Sequence, residues 1–424
     1  MKYENEYLNI LKEELKKAMG CTEPIAVSYL SATLKDLLGC IPSRVDVHVS
    51  GNILKNVKSV VVPNTDGMRG IASAIGIGVV AGVKELKLEC LSKVTSDDIV
   101  KCKEYLKNTK INIYNKKQSF IFDISIVMYT EDDYVEGRIV DNHTNIVYLR
   151  KNDCVILDQP LDNKQEVSNL TDHSVLNVAD IFDFANNVEL SKVEDLINDQ
   201  ITCNMQIAKI GLKEKYGANI GKTLLKSYPS DISTKAKAYA AAASDARMNG
   251  CELPVVINSG SGNQGITCSV PVIVYAEELK VSKEKLIRAL VLSNLLTAHM
   301  KSGIGRLSAF CGAVAAGCAA GAAIAYLHNG DLSMISHTIV NSLAIVSGII
   351  CDGAKASCAA KIASSVDAGI LGFKLYQEGN QFYSGDGIVT DGVDNTIKNV
   401  GILASQGMAE TDKEIINIML KERF

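Results

Sequence analysis

Apolar positions recur every three to four residues near the start of the chain and through its second half, and every second residue in between. Tyr7, Leu8, Leu11, Leu15 and Ala18 sit at helical spacing among Glu and Lys, predicting a helix over Tyr3 to Met19. Gly20 stops it, and Thr22-Glu23-Pro24 restarts a helix with Thr22 as N-cap and Pro24 in the first turn. That helix runs to about Leu38, ends at Gly39, and leaves Cys21 in the tight turn between the two. From Arg44 the period becomes two: Val45, Val47 and Val49 alternate with polar residues, and Val57 to Val62 is a second extended run. Gly67 to Gly82 predicts a small-residue helix. Ile111 to Tyr114, Phe120 to Tyr129, Tyr134 to Val140 and Ile146 to Leu149 predict further strands. Asp158 to Asp172 is polar and linker-like. Beyond about residue 175 the strand signal fades, and Val188 to Tyr216, Ser233 to Asn249, Ser282 to Thr297, Leu307 to Leu327, Asp331 to Ile350 and Ala354 to Leu371 predict helices.

The fold class expected is α+β, a large helical domain with an inserted mixed α/β domain. Residues 1–40 are expected to pack on the helical domain, 41–170 to form the α/β domain and 171–424 the helical one. A chain of 424 residues exceeds one simple core, and 47% hydrophobic with 22% charged residues is ordinary globular composition. The net charge of -4 is dispersed without a polybasic tract, which argues against nucleic acid or an anionic membrane surface as partner. Leu307 to Leu327 carries no charge over 21 residues, but it is mostly Ala, Gly, Ser and Cys, so it reads as a helix buried among helices, with no membrane span. The polar start is unlike a secretory segment, and the expected location is cytoplasmic. The very apolar helices are compatible with a homodimer.

The twelve cysteines are scattered, with no Cys-x-x-Cys and no finger spacing, so reduced thiols are expected in place of a disulfide scaffold or structural zinc. Three of them lie at glycine- or proline-marked breaks: Cys21 in Gly-Cys-Thr-Glu-Pro, Cys311 in Leu-Ser-Ala-Phe-Cys-Gly and Cys351 in Ile-Cys-Asp-Gly-Ala-Lys. Cys311 and Cys318 are seven apart, as are Cys351 and Cys358. On a helix that is two turns, about 10.5 Å, too far for two thiolates of one cubane cluster, so each helix would supply a single ligand. The alternative is that these cysteines only pack the core.

The motifs Gly-Cys-Thr-Glu-Pro, Ser-Gly-Ser-Gly-Asn-Gln-Gly at 259–265, Lys-x-x-x-Gly-Arg-Leu-Ser-Ala-x-Cys-Gly at 301–312 and Cys-Asp-Gly-Ala-Lys at 351–355 together resemble the L-cysteine desulfidase family. That family is related to the α chain of iron–sulfur L-serine dehydratases, and the similarity runs over nearly the whole chain. The resemblance implies a 4Fe-4S cluster held by Cys21, Cys311 and Cys351. It implies β-elimination without pyridoxal phosphate, giving pyruvate, ammonia and sulfide from L-cysteine, or pyruvate and ammonia from L-serine. A cluster-free binding or regulatory relative is the remaining reading.

Three thiolates leave one iron open as a Lewis acid, and β-elimination then needs a base for the α-proton and a cation for the carboxylate. Lys301, His299 and Lys355 are the basic candidates near the ligands, and Arg306 could grip a carboxylate bidentately. Ser259, Ser261 and Asn263 could bind substrate from a Gly-rich turn. The match of Gly260, Gly262 and Gly265 to a dinucleotide turn lacks the repeating strand–helix context. Asp245 and Arg247, like Asp352 and Lys355, read as buried or capping ion partners. No His-x-x-x-His pair supports a histidine metal site.

Overall fold

A computed structural model describes residues 2–116, 120–160, 171–305 and 308–421. It is an α+β structure with two principal hydrophobic cores. The smaller is built on a six-stranded sheet whose order in space is Lys110–Lys116, Arg44–Ser50, Asp123–Tyr129, Tyr134–Val140, Ile146–Lys151 and Cys154–Asp158. The first pair is parallel and the rest antiparallel. Val45, Val47 and Val49 point inward beneath the helices Thr22–Leu38 and Gly70–Ala81. The alternating valines thus do what their period of two requires.

The larger core is helical. Its centre is Gly312–Leu327, where Val314, Cys318, Ala319, Ala322 and Ile324 are fully buried. Small residues let neighbouring backbones close in. A Cβ on Gly321 would sit 2.4 Å from the O of Gly369 in the adjacent helix Cys358–Gln377, and one on Gly369 would sit 2.2 Å from Gly317 O. Gly369→Ala should therefore force the two helices apart and cost about 1–3 kcal/mol, read as a lower midpoint in denaturant at unchanged m. Among the described residues no helix is long and apolar enough to cross a membrane.

Several predicted elements change. The first helix stops at Glu14, and Lys17–Met19 instead forms a short strand antiparallel to Pro254–Val256. The run at 57–62 is no strand. Helix Gly51–Val57 ends there, and Val61 makes only a bridge to Arg69. The N-cap of the second helix is Cys21, and Thr22 instead donates its hydroxyl to Gly260 O at 3.2 Å. The first helix joins the helical core through Tyr7, Ile10 and Leu11, but the second joins the sheet core through Ile25, Leu30 and Leu34. The N-terminal pair is split between the two bodies, and its Gly20–Cys21 turn lies where they meet. Strand Cys154–Asp158 and helix Gly262–Glu278 were not anticipated, the latter because it carries Pro271 inside it. The linker expected at 158–172 falls largely on 161–170, outside the described residues.

Candidate functional site

A cavity of about 110 Å³ opens at the junction of the two bodies. It suits a ligand of a few heavy atoms; pockets for drug-sized ligands run to about 300–1,000 Å³. Four helices begin at its wall. Cys21 and Cys311 are the N-cap residues of Thr22–Leu38 and Gly312–Leu327, Ser261 is that of Gly262–Glu278, and Cys358 opens Cys358–Gln377. Helix N-termini carry partial positive charge and free N–H groups, which favour anions and thiolates.

Cys311 and Cys351 are brought together by a local bridge. Phe310 pairs antiparallel with Ile350, Cys311 N donates to Ile349 O at 3.0 Å, and Cys351 N donates to Ala309 O at 2.6 Å. The residues after Cys351 are not helical. They fold into a turn in which Lys355 Nζ meets Asp352 Oδ1 at 2.6 Å, the ion pair expected from the sequence. Because the helix begins only at Cys358, the seven-residue spacing does not separate the two thiols by two helical turns. Cys358 lines the cavity with Cys311 and Cys351, which corrects its exclusion on helical spacing. Cys318, inside its helix, lies in the core as that spacing predicts.

Burial pushes the Cys311 thiol up to about 12, and the neighbouring Cys351 and Cys358 add to the rise against the pull of Lys361. Burial likewise raises Cys358, with Cys351 adding to it. Lys361 is itself held above its ordinary value: burial opposes this, but the hydrogen bond to Asp352 and the Cys311 and Cys351 charges outweigh it. Cys21 belongs to a different pair. Its Sγ donates to Glu23 Oε2 at 3.0 Å, and Asn56 Nδ2 donates to Glu23 Oε1 at 3.0 Å. Burial and then the Glu23 charge push the Cys21 thiol well up, with Arg247 pulling against them. Burial would raise Glu23 too, but His143 and the Cys21 hydrogen bond hold it below the usual carboxylate range. At neutral pH the proton of this pair therefore resides on Cys21 Sγ.

Among the described residues no group of three His, Cys, Asp or Glu side chains is drawn up to hold a single metal ion. A cubane cluster makes a different demand, since each thiolate binds its own iron corner. The donor chemistry of Cys311, Cys351 and Cys358, three thiols on one cavity wall beside helix N-termini, fits such a group.

Of the substrate-binding candidates, Ser259, Ser261 and Asn263 all line the cavity. Asn258 and Ser261 exchange backbone hydrogen bonds across Ser259 and Gly260, at φ 48° and 74°, so the loop is a tight turn with two left-handed residues. Its glycines need no dinucleotide. A Cβ on Gly265 would lie 2.1 Å from Val256 O, and one on Gly262 would lie 2.2 Å from Arg247 Nε. Lys301 reaches the cavity from the last turn of Lys283–Ile304. His299, expected as a catalytic candidate, is not among the residues lining it; its Nε2 lies 2.7 Å from Asp394 Oδ1. Arg306 lies outside the described residues.

Sequence reading overlooked Glu23, Lys55, His143, Arg247, Gln264 and the full claim of Cys358. Glu23 stands inside the quoted Gly-Cys-Thr-Glu-Pro motif, so a signal was available. Lys55 and His143 come from the sheet body, and nothing in their local sequence points across to the cysteines. Asp245 and Arg247 are not ion partners. Asp245 Oδ2 accepts from Gly221 N at 3.1 Å, whereas Arg247 faces the cavity. Burial raises Asp245 to about 6, above its unfolded value, so its contribution to stability is fully present at low pH and is lost as pH rises from about 4 through 6. Asp245→Asn should raise the melting temperature by several degrees at pH 7.5 and by much less at pH 4.5, measured by thermal unfolding.

The model of the serine dehydratase alpha chain family matches residues 59–417, so the chain belongs to that family. It is 55% identical over 421 residues to a UPF0597 protein of Desulfitobacterium hafniense, covering 99% of this chain and 98% of that one. UPF0597 proteins of Finegoldia magna and Treponema denticola are 49% and 47% identical, over 98% of this chain and 99% and 98% of theirs.

Proposed function

We propose that the protein is a 4Fe-4S-dependent β-eliminating lyase that converts L-cysteine to pyruvate, ammonia and hydrogen sulfide, with L-serine the alternative substrate. The observation carrying this reading is the meeting of Cys21, Cys311, Cys351 and Cys358 at one small cavity, in a member of the serine dehydratase alpha chain family. Cys311, Cys351 and Cys358 would hold the cluster, a set that departs from the expected trio by exchanging Cys21, engaged with Glu23, for Cys358. When bound, such a cluster supplies an open iron acting as a Lewis acid toward carboxylate and leaving group.

The chain's own groups supply the rest. Cys21 Sγ and Glu23 form a proton-moving pair: as Sγ accepts the substrate α-proton, its own proton passes to Glu23 Oε2 along the 3.0 Å hydrogen bond. Asn56 and His143 keep Glu23 charged and oriented for that step. Lys301 and Lys55 add positive charge to the wall, Lys55 being held by Asp412 at 2.5 Å. Both bodies wall the cavity, and a substrate that fills its small volume leaves little room for water, which strengthens each of these interactions.

Anaerobic purification with iron and sulfide analysis tests the reading, with about four of each expected per chain. Their absence after reconstitution would favour a cluster-free binding relative. Pyruvate and sulfide assays with L-cysteine and L-serine side by side then rank the substrates; faster pyruvate release from serine would make serine the preferred one.

A further inference from the structure

Two buried polar groups in the cavity wall carry an enclosed atom with no hydrogen-bond partner, and they are of opposite kinds. Arg247 is 3% exposed, and its guanidinium makes no hydrogen bond or salt bridge among the described residues; Nε is fully enclosed. Gln264 is 5% exposed, and its Oε1 is an enclosed acceptor without a donor. An unpaired buried donor or acceptor costs about 1–3 kcal/mol, and more for a charged group, so both are expensive to keep.

The surrounding backbone makes room for them. Gly262 leaves the space in which Arg247 Nε lies, where a Cβ would be 2.2 Å away. Gly312, the residue after Cys311, leaves the space for the Gln264 amide, where a Cβ would be 2.6 Å from its Cδ. The two side chains come from different helices, Ile232–Met248 and Gly262–Glu278, yet both border the same 110 Å³ space as Cys21 and Cys311. A packing role alone would have paired them or replaced them with apolar residues.

We propose that Arg247 and Gln264 form the receptor for the α-carboxylate and α-ammonium groups of the substrate. The carboxylate accepts hydrogen bonds from the Arg247 guanidinium, and the ammonium donates to Gln264 Oε1. Each orphaned atom then gains the partner it lacks, and the ligand must carry both groups on a small frame. A simple carboxylic acid satisfies only the first and a simple amine only the second. The inference rests on the lyase reading for the reaction, but it defines the substrate as an α-amino acid whatever leaves its β-carbon.

The test uses the full-length, anaerobically reconstituted protein and L-alanine, which carries both groups and no leaving group. By calorimetry, L-alanine should bind, and propionate and ethylamine should each bind about 100-fold more weakly or not at all. Arg247→Ala and Arg247→Lys should each weaken L-alanine binding about 100-fold, because lysine keeps a charge but not the fork. Gln264→Met should weaken it about 10-fold and leave the melting temperature unchanged or higher, because an unsatisfied acceptor has gone. A purely structural glutamine would instead lose stability on that change. Wild-type protein that ignores L-alanine, or variants that bind it as wild type does, would overturn the proposal. So would a KM for L-cysteine or L-serine unaltered in Arg247→Lys and Gln264→Met while turnover persists, an outcome that leaves the lyase reading standing. Arg247-dependent L-alanine binding without any turnover would support the receptor and sink the lyase.

Discussion

Cys358→Ser is expected to leave the anaerobically reconstituted protein with little or no bound iron and sulfide, as are Cys311→Ser and Cys351→Ser. Cys318→Ser and Cys21→Ser should retain the content of the parent. The expectation follows from the cavity the thiols share and from what each is bonded to. Cys311 is affected by Cys351 and Cys358, and Cys358 by Cys351, whereas Cys21, although Cys358 packs against its apolar cluster, has its Sγ engaged in the hydrogen bond to Glu23. Three ligands are needed to hold a cubane, so loss of one should empty the site far more than tenfold relative to the parent. Iron analysis and visible absorbance read the outcome. Cluster loss in Cys21→Ser together with full retention in Cys358→Ser would restore the trio of Cys21, Cys311 and Cys351. The serine changes are nearly isosteric, and Cys318→Ser controls for disturbance of the small-residue core.

Cys21→Ser should keep its cluster and lose about 10²- to 10⁴-fold in turnover of L-cysteine or L-serine, the range associated with removing a proton-transfer group. A hydroxyl is a far weaker acid than a thiol, so it cannot pass its proton to Glu23 as the α-proton arrives. Glu23→Gln should fall by about 10²-fold for the complementary reason: the amide accepts no proton. KM should change little in either variant, since neither side chain is assigned to the substrate's charged groups. The sign of the pH dependence is fixed as well. Glu23 is held below the ordinary carboxylate range and works ionised, so activity should be maintained through mildly acidic pH and decline only as pH falls toward that lowered value. Turnover of Cys21→Ser within a few-fold of the parent would remove Cys21 from proton transfer.

Much of the α+β layout was legible because periodicity is a local property. The valines at 45, 47 and 49 and the Ala/Gly run at 312–327 each declare a period and a degree of burial without reference to the rest of the chain. The departures occur where a partner distant in sequence intervenes. Lys17–Met19 leaves its helix because Pro254–Val256 offers a strand edge, and Val57 to Val62 loses its extended form to a short helix and a turn. The cysteine motifs could be read because they fall at breaks. Cys358 could not, because a seven-residue spacing has opposite meanings inside a helix and across a turn.

The sequence by itself determined which segments are helical or extended, that Cys21, Cys311 and Cys351 lie at element ends, and which family the motifs resemble. Only the tertiary structure decided which side chains share the cavity. A contact such as Thr22 to Gly260 spans 238 residues, and Lys55 to Asp412 spans 357. No local pattern encodes such a contact, because it depends on how two cores dock. That docking sets the Cys21–Glu23 pair on the same cavity wall as Cys311, Cys351 and Cys358, and turns Arg247 and Gln264 toward the same small space.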